Sequence, residues 1–309
     1  MVRRTSKLPA LPARARDANK GDCGRVLIVG GSRGMIGASC LAARAAGRGG
    51  AGLVKVAVPE SLWEVAALKG DEYLTAGLPA TRAGALAEEA LEPLLELAAW
   101  ADVVVLGPGL GTAAETVSVV RHAVSEITKP LVLDADGLNA FAGRPANLTK
   151  ARATCATAGL SSSGRRAAAT AYPLVLTPHP GEMARLLRTT PQAVQRDREA
   201  AAYSCAKQTG AVVILKGAGT IVTGGERLYV NRTGNPGLAT GGTGDVLSGL
   251  LGALLGQGME PYDAACLAVY LHGLAGDLAA KRLGVWSLVA GDLVDYLPAA
   301  FLAHARRKR

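Results

Sequence analysis

Aromatic side chains are scarce in this sequence. They make up 4% of the 309 residues and include only two phenylalanines, whereas 39 residues are glycine. So few large rings and so much glycine suit closely packed helices and glycine-built turns, and the composition does not suit a disordered or fibrous protein. With 49% hydrophobic and 19% charged residues, the composition is that of a globular protein long enough to bury a large core.

Long apolar runs and paired cysteines are also missing. No stretch approaches the roughly 18 apolar residues of a membrane span, and no apolar core follows the basic N-terminus as in a secretory signal. The five cysteines show neither a CxxC pair nor metal-ligand spacing, which favours a reducing compartment. We therefore predict a soluble, cytoplasmic protein with no membrane partner. The acid-free segment 1–16 leaves an organellar transit peptide as a minor alternative.

Negative charge is in deficit, and the net charge is +9. The excess lies at the two ends, because residues 1–20 carry +5 and residues 306–309 carry +4. The body between them is neutral and lacks a pattern of interleaved aromatic and basic residues. We interpret both ends as solvated tails and expect no nucleic-acid partner. A nucleic-acid-binding protein that uses its tails remains the rival hypothesis, with salt-sensitive binding as its signature.

Short apolar runs alternate with helical stretches along the chain. The strand candidates are continuously apolar, as expected for a parallel sheet covered on both faces: 25–30, 53–58, 102–106, 130–134, 173–177 and 211–215. The pattern predicts an α/β three-layer sandwich with a mostly parallel central sheet and helices on both faces. Residues 220–230 predict an antiparallel hairpin in the C-terminal half. Helices are expected near 37–48, 244–256, 261–282 and 289–305.

The predicted domain organisation is simple. Residues 1–20 form a basic extension, 21–305 a single domain and 306–309 a basic tail. Within the domain, residues 144–172 carry five basic residues and no acids and are rich in Ala, Ser and Thr. We interpret this segment as a flexible surface insertion between two strands.

Distinctive loops follow four of the predicted strands, where ligands of open parallel sheets collect. They are GPGLG at 107–111, ADGLN at 135–139, PHPGE at 178–182 and KGAGT at 216–220. Asp134 and Asp136 could hold Mg²⁺ through water or cap the following turn. His179, fixed between two prolines, could face a ligand or cap a carbonyl. Lys216 could reach a phosphate or extend into solvent.

The most informative motif is GGTGD at 241–245, which opens a predicted helix. Its glycines allow backbone amides to surround a phosphate, and the helix start adds unpaired donors and a favourable dipole. Asp245 beside that anion is explained if it takes the proton of a hydroxyl that attacks a phosphoryl group. A Walker A loop is excluded because Asp245 follows Gly244, and the glycine spacing near residue 30 is not that of a dinucleotide fold.

The order of these motifs resembles the NAD(P)H-hydrate dehydratases, a branch of the ribokinase-like superfamily. The matching segments span most of residues 20–285: 37–61, 107–111, 133–140, 176–182, 216–220 and 235–249. TPHPGE together with KGAGT and NPGLATGGTGD is specific, whereas GPGLG alone is weak. Two features depart from the family. Met35 and Ile36 stand where an aromatic residue and a proline are usual, and the insertion is longer than expected.

The resemblance implies a ribokinase-like fold and a metabolite-repair lyase. Such an enzyme uses ADP or ATP, with Mg²⁺, to dehydrate the S-form of NADH or NADPH hydrate after phosphorylating the ring hydroxyl. The organisation as a single domain favours ADP over ATP as the phosphoryl donor. The resemblance also implies a homotetramer and a separate hydrate epimerase in the same pathway. A ribokinase-like kinase of thiazole or hydroxymethylpyrimidine alcohols is the alternative.

The resemblance assigns two sets of site residues, with Asp245 as the catalytic base. The substrate contacts are Ala38, Gly109, Gly111, His179 and Asp245. The nucleotide contacts are Lys216, Gly217, Ala218, Gly219, Thr220, Gly241, Gly242, Thr243 and Gly244.

Overall fold

A ten-stranded sheet forms the centre of the molecule in a computed structural model that describes residues 3–149 and 172–307. The strands are β1 (Arg3–Arg4), β2 (Arg25–Val29), β3 (Leu53–Pro59), β4 (Leu74–Leu78), β5 (Val103–Leu106), β6 (Leu131–Leu133), β7 (Leu174–Leu176), β8 (Val212–Leu215), β9 (Ile221–Thr223) and β10 (Arg227–Val230). Their order across the sheet is β1-β10-β9-β8-β7-β6-β5-β2-β3-β4.

Most neighbouring strands run parallel, as the continuous apolar runs predict. The exception is β9, which pairs antiparallel with both β8 and β10 and so forms the predicted hairpin. The expected mostly parallel sheet is therefore confirmed. Strand β4, at the far edge of the sheet, is not among the predicted strands, because its mixed sequence LTAGL lacks the apolar pattern of the buried strands.

Helices cover both faces of the sheet. They are α1 (Ile36–Arg48), α2 (Trp63–Leu68), α3 (Leu91–Trp100), α4 (Ala114–Glu126), α5 (Ala135–Asn139), α6 (Pro180–Leu187), α7 (Pro191–Arg196), α8 (Arg198–Thr209), α9 (Thr243–Gly256), α10 (Pro261–Leu283) and α11 (Ala290–Arg306). Alternate strand residues point to opposite faces. Val26 and Ile28 join a core with α1, α9, α10 and α11, whereas Leu27 and Val29 join a core with α3, α4, α6 and α8. The three-layer sandwich is thus confirmed.

The N-terminal segment is bound to the body of the protein, so its interpretation as a solvated tail is wrong. The Arg3–Arg4 strand pairs in parallel with β10, and Leu8 and Leu11 pack against the core. His304 also contacts the carbonyl oxygen of Pro9, at 3.0 Å. The charge count does not reveal these contacts, because backbone pairing and a few apolar side chains provide them.

The predicted insertion 144–172 lies mostly outside the described residues, which stop at 149 and resume at 172. Within the described ranges, no helix combines the length and hydropathy that crossing a bilayer requires. The division into a basic extension, one domain and a basic tail remains a prediction.

Close contact between α1 and α9 fixes the start of α9. The buried face of α1 is built from alanines, among them Ala42. Gly249 of α9 lies so near that a Cβ there would be 1.9 Å from the Ala42 carbonyl oxygen. The small residues on both helices therefore set how closely their axes approach, and with it the position of the GGTGD segment.

Replacement of Gly249 by Ala should lower the free energy of unfolding by about 1–3 kcal/mol, since the added methyl group overpacks the helix contact. Chemical denaturation measures this change. Gly47→Ala in α1 is the matched control, because a Cβ there meets nothing within 4 Å. The control should gain about 0.5–1 kcal/mol, as expected for a helical glycine replaced by alanine. A Gly249→Ala variant as stable as the control would contradict the close approach.

Candidate active site

A buried carboxylate, Asp134, joins three strand ends to α9. It follows β6, is 1% exposed, and accepts hydrogen bonds on both oxygens. Oδ1 accepts from the Thr177 hydroxyl at 2.7 Å and from Lys216 Nζ at 2.9 Å, and these residues follow β7 and β8. Oδ2 accepts from the Ser248 hydroxyl of α9 at 2.6 Å. The helix start is thereby attached to the carboxyl edge of the sheet.

Asp134 and Lys216 form an ion pair at this edge. Burial tends to raise the pKa of Asp134, but the Lys216 charge and the hydrogen bonds from Ser248 and Thr177 outweigh it and hold the pKa below its ordinary value. Burial tends to lower the pKa of Lys216, but the carboxylates of Asp134 and Glu182 outweigh it and raise that pKa. Both groups are therefore charged, and Lys216 Nζ also lies 3.7 Å from Glu182 Oε2.

His179 caps the start of α6. Its Nδ1 accepts hydrogen bonds from the amides of Gly181 and Glu182, at 2.9 and 3.2 Å. In return, Glu182 Oε2 accepts from the His179 amide at 2.7 Å. Because Nδ1 acts as an acceptor, the ring is neutral with its proton on Nε2, and burial lowers its pKa. The side chain therefore caps backbone amides and not a carbonyl, as one of the two predicted alternatives had it. About half of the side chain remains exposed.

The GPGLG loop packs tightly against the loop after β6. A Cβ at Gly107 would lie 1.9 Å from the Asp134 carbonyl oxygen, and its φ of 131° suits only glycine. Asp136 Oδ2 accepts from the Gly111 amide at 2.8 Å. At Gly109, a Cβ would lie 3.1 Å from the Ala38 Cβ. The structure thus brings together Ala38, Gly109 and Gly111, three of the predicted substrate contacts.

Asp245 lies in the first turn of α9, after Gly242 with φ of 92°. Its carboxylate accepts no hydrogen bond from the described residues. Burial and, next, the nearby Asp134 carboxylate together raise its pKa to about 7, although the Lys216 charge opposes them. A carboxylate that changes protonation near neutral pH is suited to accepting and releasing a proton.

A cavity of about 490 Å³ opens beside the start of α9. Its lining includes six of the nine predicted nucleotide contacts: Lys216, Gly217, Ala218, Thr220, Thr243 and Gly244. The other three, Gly219, Gly241 and Gly242, are not part of the lining. Further lining residues, outside the predicted contacts, come from the segment after β10 and from α10, among them Asn231, Thr233, Asn235, Leu238 and His272.

His272 supports the helix start from α10. Its Nε2 lies 2.8 Å from the carbonyl oxygen of Thr243, and burial lowers its pKa to about 4, so the ring is neutral and donates this hydrogen bond. This contact gives His272 a structural role at the start of α9. His122 lies in α4, where its Nδ1 is 3.0 Å from the carbonyl oxygen of Ser118.

Direct metal ligands are not assembled here. In residues 3–149 and 172–307, no three His, Cys, Asp or Glu side chains are placed to hold a metal ion. Both oxygens of Asp134 are engaged, and so are those of Asp136, through the Gly111 amide and the Asn139 side chain. The Asp245 carboxylate, by contrast, accepts no hydrogen bond from the described residues on either oxygen. A metal here would depend on phosphate and water oxygens for most of its coordination.

The model of the NAD(P)H-hydrate dehydratase family matches residues 26–299. The chain belongs to this family. It is 47% identical over 289 residues to the bifunctional NAD(P)H-hydrate repair enzyme of Moorella thermoacetica, covering 93% of this chain and 51% of that protein. It is 38% identical over 284 residues to the ADP-dependent (S)-NAD(P)H-hydrate dehydratase of Neisseria meningitidis, covering 91% and 86%. The chain spans about half the length of the bifunctional relatives.

Solved structures of similar fold include members of this family. The ADP/ATP-dependent NAD(P)H-hydrate dehydratase of Bacillus subtilis, co-crystallised with ATP and Mg²⁺, has a TM-score of 0.75 at 28% identity, covering 96% of this chain and 95% of that one. A ribokinase-like superfamily protein of Enterococcus faecalis has a TM-score of 0.77 at 26% identity, covering 99% and 97%. The ribokinase-like fold is therefore confirmed.

Replacement of Asp245 by Asn should stabilise the protein at neutral and higher pH. The raised pKa means that folding favours the protonated acid, so this stabilisation is complete below the ordinary value of 3.8 and is lost as pH rises through about 7. An amide cannot ionise. The variant's advantage in free energy of unfolding should therefore be near zero at pH 4 and largest near pH 8, as measured by urea denaturation.

Asp71→Asn is the control, because Asp71 is exposed and lies outside the site. It should change the free energy of unfolding little at either pH. A gain for Asp245→Asn that is the same at pH 4 and pH 8 would contradict a raised pKa at Asp245.

Proposed function

We propose that this protein dehydrates the S-form of NADH or NADPH hydrate, using ADP or ATP as phosphoryl donor. The observation that supports this most is Asp245, a carboxylate with a pKa of about 7 placed in the first turn of a helix beside a nucleotide-sized cavity. Membership of the NAD(P)H-hydrate dehydratase family supports the ring hydroxyl of the hydrate as the alcohol that would be phosphorylated.

The chemical task is to remove a poor leaving group. Asp245 takes the proton of the ring hydroxyl while the hydroxyl oxygen attacks the terminal phosphorus of the nucleotide, and the bond to the bridging oxygen breaks. The hydroxyl is thereby converted into a phosphate ester. The lone pair of the ring nitrogen then expels phosphate, and loss of a neighbouring proton restores the double bond. Amides at the start of α9, from Gly241 to Gly244, stabilise the charge on the transferring group.

The two ligands would approach Asp245 from two sides. We assign the hydrate to Ala38, Gly109, Gly111 and His179, which come from α1, the GPGLG loop and the cap of α6. We assign the adenine nucleotide to the KGAGT and GGTGD segments, Lys216–Thr220 and Gly241–Gly244. Lys216 supports this arrangement because its ammonium lies against α9, where a Cβ on Gly244 would be 3.2 Å from Nζ.

Mg²⁺ is the proposed companion of the nucleotide. The engaged oxygens of Asp134 and Asp136 favour an ion held mainly by phosphate and water, with these two acids acting at most through water. It would neutralise phosphate charge during transfer. We propose ADP as the preferred donor, in keeping with the name of the Neisseria relative.

Assembly and location complete the proposal. We propose a cytoplasmic homotetramer with one catalytic domain, residues 21–305. A hydrate epimerase is expected to act alongside it, since only the S-form is the proposed substrate.

Restoration of reduced nicotinamide is the direct test of this function. The purified protein, given hydrated NADH with Mg²⁺ and ADP or ATP, should regenerate the absorbance of NADH and release one phosphate per molecule repaired. ADP should support the higher kcat/KM. Accumulation of a stable phosphorylated alcohol without NADH would instead identify a small-molecule kinase of the same fold.

The Asp245→Asn variant should lose turnover by roughly 10²–10⁴-fold, the usual contribution of a general base. Its affinity for ADP, measured by calorimetry, should change little. In the unmodified protein, kcat/KM should rise with pH through about 7, because only the ionised carboxylate accepts the proton. Asp71→Asn should retain full activity. Near-normal turnover in Asp245→Asn would show that another group is the base.

A further inference from the structure

Arg198, the first residue of α8, lies behind the KGAGT loop. Its Nη2 donates to the carbonyl oxygens of Leu215 and Lys216, at 3.1 and 3.3 Å. Its Nη1 donates to the Gln195 side chain at 3.1 Å. The guanidinium thus holds two consecutive peptide groups at the point where β8 ends and the loop begins.

Gly217 packs directly against this guanidinium. Its φ is 138°, and a Cβ there would lie 2.9 Å from Arg198 Nη1. The positive φ requires glycine at this position, and a side chain there would displace the guanidinium. The Gly217 carbonyl oxygen in turn accepts a hydrogen bond from the Thr220 hydroxyl at 2.9 Å, which closes the loop. Arg198 and Gly217 therefore form one fitted unit at the edge of the cavity.

The orientation of the Gly217 amide follows from peptide planarity. In a trans peptide the C=O and the N–H point in opposite directions. Because the Lys216 carbonyl points at Arg198, the Gly217 N–H points away from it. Gly217 lines the nucleotide cavity, and its N–H has no acceptor among the described residues. The preceding peptide is already satisfied, since the Lys216 amide donates to the Pro178 carbonyl at 2.9 Å.

The charge of Arg198 has no counterion within the described part of the chain. Its hydrogen-bond acceptors there are neutral oxygens, and burial alone lowers its pKa from the ordinary value. An arginine remains protonated under such conditions. Its positive charge therefore favours an anion in the cavity on the other side of the KGAGT loop.

We propose that Arg198 is a positioning residue that aims the Gly217 N–H at a phosphate group of the bound nucleotide and adds positive charge behind it. This inference rests on the proposed function only in that the cavity takes an adenine nucleotide. The guanidinium does not touch the ligand. It acts through the Lys216–Gly217 peptide, whose N–H is a stronger donor when its carbonyl is bonded to a cation.

The test compares phosphate-dependent and phosphate-independent binding in Arg198→Met. Affinities for ADP and for adenosine are measured by calorimetry, with adenosine in competition format where its binding is weak. ADP affinity should fall by about 10- to 100-fold, the range for losing charge-assisted hydrogen bonding. Adenosine affinity should fall by less than about threefold, since it has no phosphate. Arg198→Lys, which keeps the charge, should recover part of the ADP affinity.

Arg196→Met is the matched control. Arg196 is exposed and lies two residues from Arg198, and its replacement removes the same charge. It should leave both affinities unchanged. An equal loss of ADP and adenosine in Arg198→Met would show that Arg198 only maintains the loop, and no loss of either would also overturn the proposal. If Arg198→Met does not fold, Arg198→Lys decides, with a larger loss for ADP than for adenosine still required. Failure of the unmodified protein to bind ADP would instead count against the proposed function.

Discussion

The buried Asp134 carboxylate is the interaction on which the site depends. Thr177, Lys216 and Ser248 all donate to it, so a single side chain fixes the ends of β7 and β8 and the first turns of α9 relative to β6. A buried carboxylate is stable only when such partners compensate its lost hydration. The arrangement therefore constrains the loops, the helix start and the cavity beside them together.

The same arrangement explains the behaviour of Asp245. Lys216 is already paired with Asp134 and lies near Glu182, so its charge is shared among several carboxylates. Asp245 is left partly buried with no donor of its own among the described residues, and its pKa is raised to about 7. Such a group destabilises the folded protein once it ionises, which is the usual cost of a reactive residue.

Local pattern predicts most of this fold but only part of the site. The buried strands and the hairpin follow from apolar runs and a glycine turn, and the GGTGD helix start follows from its own residues. Edge strand β4 and the contacts of the N-terminal segment are not predicted, because neither hydrophobic periodicity nor charge encodes them. The sequence pattern assigns Asp134 to Mg²⁺ or a turn and does not reveal its hydrogen bond with Ser248, which is 114 residues away. The position of Arg198 behind the KGAGT loop is not predicted either, because its contacts are with residues 17 and 18 positions away.

The central claim is that Asp245 activates the ring hydroxyl of the hydrate for phosphorylation, so that the hydroxyl oxygen leaves as part of phosphate. Hydrated NADH labelled with oxygen-18 at this hydroxyl tests the claim most directly, with mass analysis of the products after repair with ADP. The account predicts that the label appears in the released inorganic phosphate. Label found in water would mean direct elimination of hydroxide and would contradict the account.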